Sequence, residues 1–353
     1  MKKILLASSA MVAAVAVSAP AFAADGEINL SVFTQFHASS TDADVNSTAT
    51  NNGHDFNTNS EIKLKASNTA DNGLKYGLVI ELEADQGNTN NTDENFIWLE
   101  GDFGRVELGD QDGAANNLFV GGADVGLTYG MIDNPTGSSV SGSGADTAAD
   151  VADTSDSTKI TYYTPSFNGF KAAVSYAPDG SEGSTVATSV VDSASFEQAV
   201  EAGLNYSGSF NDFSIDVGAN GVWADHNGNA LAGSDSSDNQ FWGAGVGFNV
   251  GYAGFTVGAG YTYEDGDKVF DNQNSIDAGV SYTTGPWLVA VAGVWSETEA
   301  VSGGTDVENQ AISAGVQYEI AKGLSVYGSA ITGDYEGGSG DFTSVQSGVL
   351  VSF

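Results

Sequence analysis

Residues 95–112 read NFIWLEGDFGRVELGDQD, and this stretch decides the fold. Two short runs, Phe96–Glu100 and Arg105–Leu108, flank the turn Gly101–Gly104, as a β-hairpin would. After Gly109 the alternation stops. Through Ser157 no periodic segment follows, and Gly, Asp, Ser, Asn and Ala dominate. A compact domain carries so long an irregular connection only when it has work to do. The expectation is that residues 111–157 fold into a membrane β-barrel and constrict its pore.

The same alternation extends outward on both sides. Ile28, Leu30, Val32, Thr34 and Phe36 mark one apolar strand face, and Ile62, Leu64 and Ala66 another. Asp71-Asn72-Gly73 turns into Leu74, Tyr76, Leu78, Ile80 and Leu82, while Ala38–Asp55 and Asp85–Glu94 read as polar loops. Beyond the long loop, paired runs turn at Pro165–Gly169, Gly208–Asp212, Gly251–Gly254, Gly285-Pro286 and Ala321–Gly323, and the last run closes on Phe353. The runs number about 16, and short connections alternate with long ones, as in barrels with periplasmic turns and external loops. An even number closes the sheet without leaving an edge in lipid. Tyr206, Phe213, Tyr261, Tyr263, Tyr282, Trp287 and Tyr318 stand at the ends of apolar faces, where membrane barrels carry aromatic girdles. The fold class is therefore all-β, a 16-stranded antiparallel transmembrane barrel with an infolded third loop.

Residues 1–23 read as a signal peptide: basic Lys2-Lys3, an apolar stretch from Ile4 to Val17, and the small-x-small site Ala21-Phe22-Ala23. Residues 24–353 then form the exported barrel domain. Without Lys2 and Lys3 the chain keeps eight bases against 46 acids, a formal charge of −38. Nucleic acid is excluded as a partner, because a phosphate backbone needs a basic surface. Such charge gathers cations at the surface; it equally suits a salty medium. There is no Cys, so disulfides contribute nothing.

Three segments carry a family likeness. Phe96–Asp112, Tyr162–Tyr176 (YYTPSFNGFKAAVSY) and Val349-Leu350-Val351-Ser352-Phe353 resemble the Gram-negative general diffusion porins, and the Rhodobacter-type α-proteobacterial porins in particular. The resemblance implies a homotrimer of 16-stranded barrels, with the third external loop inside as an eyelet. It also implies that the strand ending in Phe353 is the signal for the outer-membrane assembly machinery. The surrounding partners would be outer-membrane lipid and lipopolysaccharide. One departure stands out: relatives often place a base in the LG-x-Q segment, where this chain has Asp110.

Alternation assigns side chains to the lumen. If Ile62 and Leu64 face lipid, then Lys63 and Lys65 face the channel, and by the same reading so do Lys75, Arg105 and Lys171. Glu81, Glu83, Glu107 and Asp110 form the acidic part of that wall. Asp112, Asp124 and Asp133 are the constriction acids of the loop, whereas Asp146, Asp150, Asp153 and Asp156 read as its solvated face. Acids facing bases across a narrow water channel create a transverse field. With acids dominant, weak to moderate cation preference is expected.

Other chemistry is thinly represented. Asp42-Ala43-Asp44-Val45-Asn46 begins like a calcium loop, but Ser47 replaces the required Gly and no Glu closes it. Clustered loop carboxylates suit weak Ca²⁺ or Mg²⁺ binding, and neither a cofactor nor a dedicated metal site is expected. His37 reads as a strand end, and His54 and His226 as loop residues. No Gly-x-Ser-x-Gly elbow and no His-Glu-x-x-His is present, so no catalytic residues are assigned and an enzyme is not expected. The leading function is a channel for passive diffusion of ions and small hydrophilic solutes. The alternatives are a sugar- or amino-acid-specific porin, for which an aromatic slide by Phe119 and Tyr129 would mark a sugar channel, and a non-conducting adhesin.

Overall fold

The computed structural model describes residues 26–43, 53–84, 92–132, 150–180, 196–226, 240–266, 271–300, 304–336 and 340–353. The predicted signal peptide, Asp133 and Asp146 lie outside the described residues.

Sixteen antiparallel strands form one closed barrel. The first half comprises β1 (Glu27–Ala43), β2 (His54–Thr69), β3 (Lys75–Glu83), β4 (Thr92–Gly101), β5 (Gly104–Asp110), β6 (Thr158–Tyr163), β7 (Phe170–Asp179) and β8 (Phe196–Phe210). The second comprises β9 (Phe213–His226), β10 (Gln240–Tyr252), β11 (Phe255–Asp265), β12 (Asn272–Thr284), β13 (Trp287–Glu299), β14 (Val307–Ala321), β15 (Leu324–Tyr335) and β16 (Gly340–Ser352). Closure is made by β1, which pairs with both β2 and β16. Phe353 completes it: its N–H donates to Val32 O at 2.9 Å, and Val32 N–H donates to Phe353 O at 3.1 Å. No edge is left for lipid to meet, which is what a backbone in hydrocarbon requires.

The outer surface has the dimensions of a bilayer core. Toward the short turns, cross-strand aromatic pairs ring the wall: Phe170–Tyr206, Phe213–Tyr252, Phe255–Tyr282 and Trp287–Tyr318, with centroids 4.4–4.8 Å apart. Toward the loops, Trp242 and Tyr263 pair at 5.1 Å. On β10, Tyr252 and Trp242 are ten residues apart, about 34 Å along a strand and about 25 Å along the axis at barrel tilt. Exposed Val246 and Phe248 fill the interval. The hairpins use turns that suit strand twist; Ala253-Gly254 has positive φ at both residues (50° and 88°), the type I′ geometry.

The ladders run further than apolar alternation suggests. β1 continues to Ala43 and β2 begins at His54, so much of the expected loop Ala38–Asp55 is strand. His37 therefore lies inside β1, buried with 3% exposure; His54 opens β2 and His226 closes β9. Asp42 pairs with Thr343 in the sheet, which removes the supposed start of a calcium loop. The reason is solvent: above the bilayer the outer face turns polar, while backbone pairing continues.

Candidate functional site

The described parts of the segment between β5 and β6, residues 111–132 and 150–157, enter the lumen. Among the described residues the segment carries a short helix, α1 (Ala114–Asn117), and a 3₁₀ turn at Ala123–Val125. Ala114, Ala115, Ala123, Leu127, Met131 and Ile132 are buried against the wall. Leu127 and Met131 pack with Ala290 and Ala292 of β13 and Tyr327 of β15, and Ile132 with Val294, Ala311, Ile331 and Phe342.

Inward carboxylates of the far wall hold the loop by its backbone. Asp277, wholly buried on β12, accepts N–H from Gly122 at 3.0 Å and from Ala123 at 2.8 Å. Glu201 on β8, 1% exposed, accepts N–H from Ala115 at 3.2 Å, N–H from Thr154 at 3.0 Å and O–H from Ser175 at 3.2 Å. Glu264 on β11 accepts N–H from Ala152 at 2.6 Å. These are charge-assisted bonds, about twice as strong as neutral ones. The wall also makes room. A Cβ on inward Gly279 would lie 2.5 Å from Gly122 O, one on Gly203 2.4 Å from Ala114 O, and one on Gly247 would overlap Val120 O. Strand parity turns Glu201, Glu264 and Asp277 inward, and the loop covers them.

A cavity of about 660 Å³ lies between the loop and β1–β7. Four bases (Lys63, Lys65, Arg105, Lys171) and five acids (Glu81, Glu94, Glu100, Glu107, Asp112) line it. Lys63 pairs with Glu81. Arg105 pairs with Glu107 at 2.5 Å and Glu100 at 3.7 Å, and its guanidinium lies 4.4 Å above the Trp98 ring. Lys171 Nζ sits 4.4 Å from the Tyr163 centroid. Both aromatic faces are thus capped by cations.

The other expected site residues divide as follows. Lys75 is paired with Glu100 at 3.1 Å at the turn-side mouth, 57% exposed and away from the constriction. Glu83 keeps the inward parity of Glu81 and pairs in register with Glu61 at the loop end of the wall. Asp124 is exposed on the loop, where Gly121 N–H donates to its Oδ2 at 2.6 Å. Asp110 corrects the expectation: it shares the outer face with Val106 and Leu108, and Thr158 Oγ1 donates to it. Period two forbids Glu107 and Asp110 from both facing inward. Tyr129 packs beside Phe33 with centroids 6.1 Å apart, closing the loop onto β1.

Of the later loop acids, Asp150 is exposed, whereas Asp153 and Asp156 are half-buried. Asp156 joins Glu94 and Asp112, with carboxylate oxygens within 4.8 Å of one another; Glu61, Glu81 and Asp93 make a similar group. Burial raises the pKa of Asp153. It pushes Asp112 up to about 6, with the charges of Asp153 and Glu94 adding to the rise. Lys159, which sequence reading did not single out, is buried among these acids and donates to Gln111 O at 2.5 Å and also to Ser155 O. Its position between Thr158 and Ile160 gave the inward parity that would have flagged it.

The comparisons with known proteins agree with this architecture. A family model described as Gram-negative porin matches residues 7–338. No curated protein matches significantly. Among solved structures, the chain is similar to OmpT, an outer membrane protein of Vibrio cholerae in a trimer form, at 14% identity and TM-score 0.63, covering 93% of this chain and 99% of that one. It is likewise similar to a substituted porin of Rh. blastica at 17% identity and TM-score 0.61, covering 93% and 100%.

Proposed function

The chain belongs to the Gram-negative porin family, and on that premise we propose a water-filled outer-membrane channel that prefers cations and passes ions and small hydrophilic solutes by diffusion. The observation that carries this reading is the charged cavity left inside a closed barrel by a loop held to the opposite wall. The cation preference is supported by the balance of that lining, where acids outnumber bases and Lys63 and Arg105 are neutralised by carboxylate partners. Asp124 adds an acid on the loop's exposed face.

The family and the fold are those of a channel, and the proposed activity is passive, with no turnover and no resident cofactor. Weak Ca²⁺ or Mg²⁺ binding by the clustered carboxylates is part of the proposal. We take the working unit to be a homotrimer in outer-membrane lipid and lipopolysaccharide, delivered after signal-peptide cleavage by the assembly machinery that reads Phe353. A sugar-specific slide is less well supported, because Arg105 and Lys171 occupy the Trp98 and Tyr163 faces on which a pyranose would stack. Swelling of proteoliposomes in uncharged solutes of rising size tests the channel reading. Entry of small solutes with a sharp size limit is expected; no entry at any size would favour a non-conducting barrel.

A further inference from the structure

The ion pairs in the cavity do not consume all its charges. Arg105 and Lys63 are committed to carboxylates, whereas Lys65 and Lys171 have no carboxylate partner among the described residues. Glu94 likewise has no ion pair among them. Beside Glu94 stands Asp112, whose nearest base, Lys159, directs its ammonium to two backbone carbonyls. The cavity therefore has an acidic pole toward the loop and a basic pole toward the turns, both open to the same space.

Sheet register gives the distance between poles. Lys65 pairs with Val79, and Val79 with Phe96. Glu94 lies two residues beyond Phe96, toward the loops. Two strand spacings across and two residues along separate the Cα atoms of Lys65 and Glu94 by about 12 Å. Both side chains point inward and shorten that gap to several ångströms. A simple ion needs one pole, and a neutral solute neither. A solute with an ammonium and a carboxylate a few bonds apart uses both.

We propose that this half of the lumen is a recognition site for zwitterionic solutes, free amino acids and short peptides, with the ammonium at Glu94 and Asp112 and the carboxylate at Lys65. The site rests on the channel reading above and names a solute class for it. Each exposed charge contact contributes little, about 0.2–1 kcal/mol, so several acting together favour entry and still permit release.

Proteoliposomes carrying the purified full-length protein test this by swelling at pH 7.5 with diglycine and, as an uncharged solute of similar size, erythritol. Diglycine should enter faster than erythritol. In K65Q, and separately in E94Q, the diglycine-to-erythritol ratio should fall about threefold, the scale of one such contact. Erythritol entry reports that each variant forms a channel. Equal rates in the native protein, or a ratio unmoved in both variants, would overturn the recognition site and leave the channel standing. Entry of neither solute into native proteoliposomes would overturn the channel reading and the site with it.

Discussion

Asp112 sits where the wall gives way to the loop, close to Glu94, Asp153 and Asp156. Its carboxyl is raised to about 6, chiefly by burial. A raised carboxyl pKa means the folded chain holds that proton more tightly than the unfolded one. This residue therefore favours folding below about pH 4, and the benefit is lost as pH rises through 6. In the pore the same titration removes a negative charge between pH 7 and 5. Cation preference, read as a reversal potential, should weaken over that interval, and D112N should abolish the step. Asp277 acts differently. Removing its carboxylate in D277A strands two buried N–H groups, each costing about 1–3 kcal/mol. The expected result is a loosened loop with noisier, larger single-channel currents; D277N, which keeps one acceptor, should fall between. Lys63, Lys65, Arg105, Lys171, Glu81 and Glu107 line one cavity, on the face that alternation along each strand gives them, because parity depends only on the strand. Alternation could not tell free charges from paired ones, nor see that Asp277 and Glu201 serve the loop's backbone, because those facts arise from contacts between distant segments.

The loop follows the glycines. On β8, β10 and β12, Gly203, Gly247 and Gly279 let its carbonyls approach to distances at which any side chain would intrude. A G247L variant should push Val120 off the wall and displace the loop. Conductance and the solute size limit should then change while the barrel keeps its heat-resistant folded form on electrophoresis; an unchanged size limit would show that the loop does not set it. Alternation stops after β5 and resumes with β6, so the interval between them has no period. Its path was not legible, because an irregular segment has no period from which to read direction. The extensions of β1 and β2 beyond the apolar band were missed for a related reason: where both faces are polar, pairing leaves no hydrophobic signature.

The whole molecule is strongly acidic, with 46 Asp and Glu against ten Lys and Arg. Part of that charge is spent internally on loop anchors, and the remainder is available to the pore. The barrel itself was legible from paired runs, short turns and aromatic belts, all fixed by the bilayer rather than by particular contacts. In the proposed channel, selectivity would be set by the charges in the cavity beside the loop that no ion pair takes up. Because they face water, their effect should shrink with salt, so cation preference should be greater at 0.1 M than at 1 M, where the Debye length falls from about 10 to 3 Å. The most direct measurement is the zero-current potential of the purified protein in a planar bilayer under a tenfold KCl gradient at pH 7.5. The account predicts a potential displaced toward that of a cation-selective membrane. A potential of anion-selective sign, or a bilayer that carries no current, would contradict it.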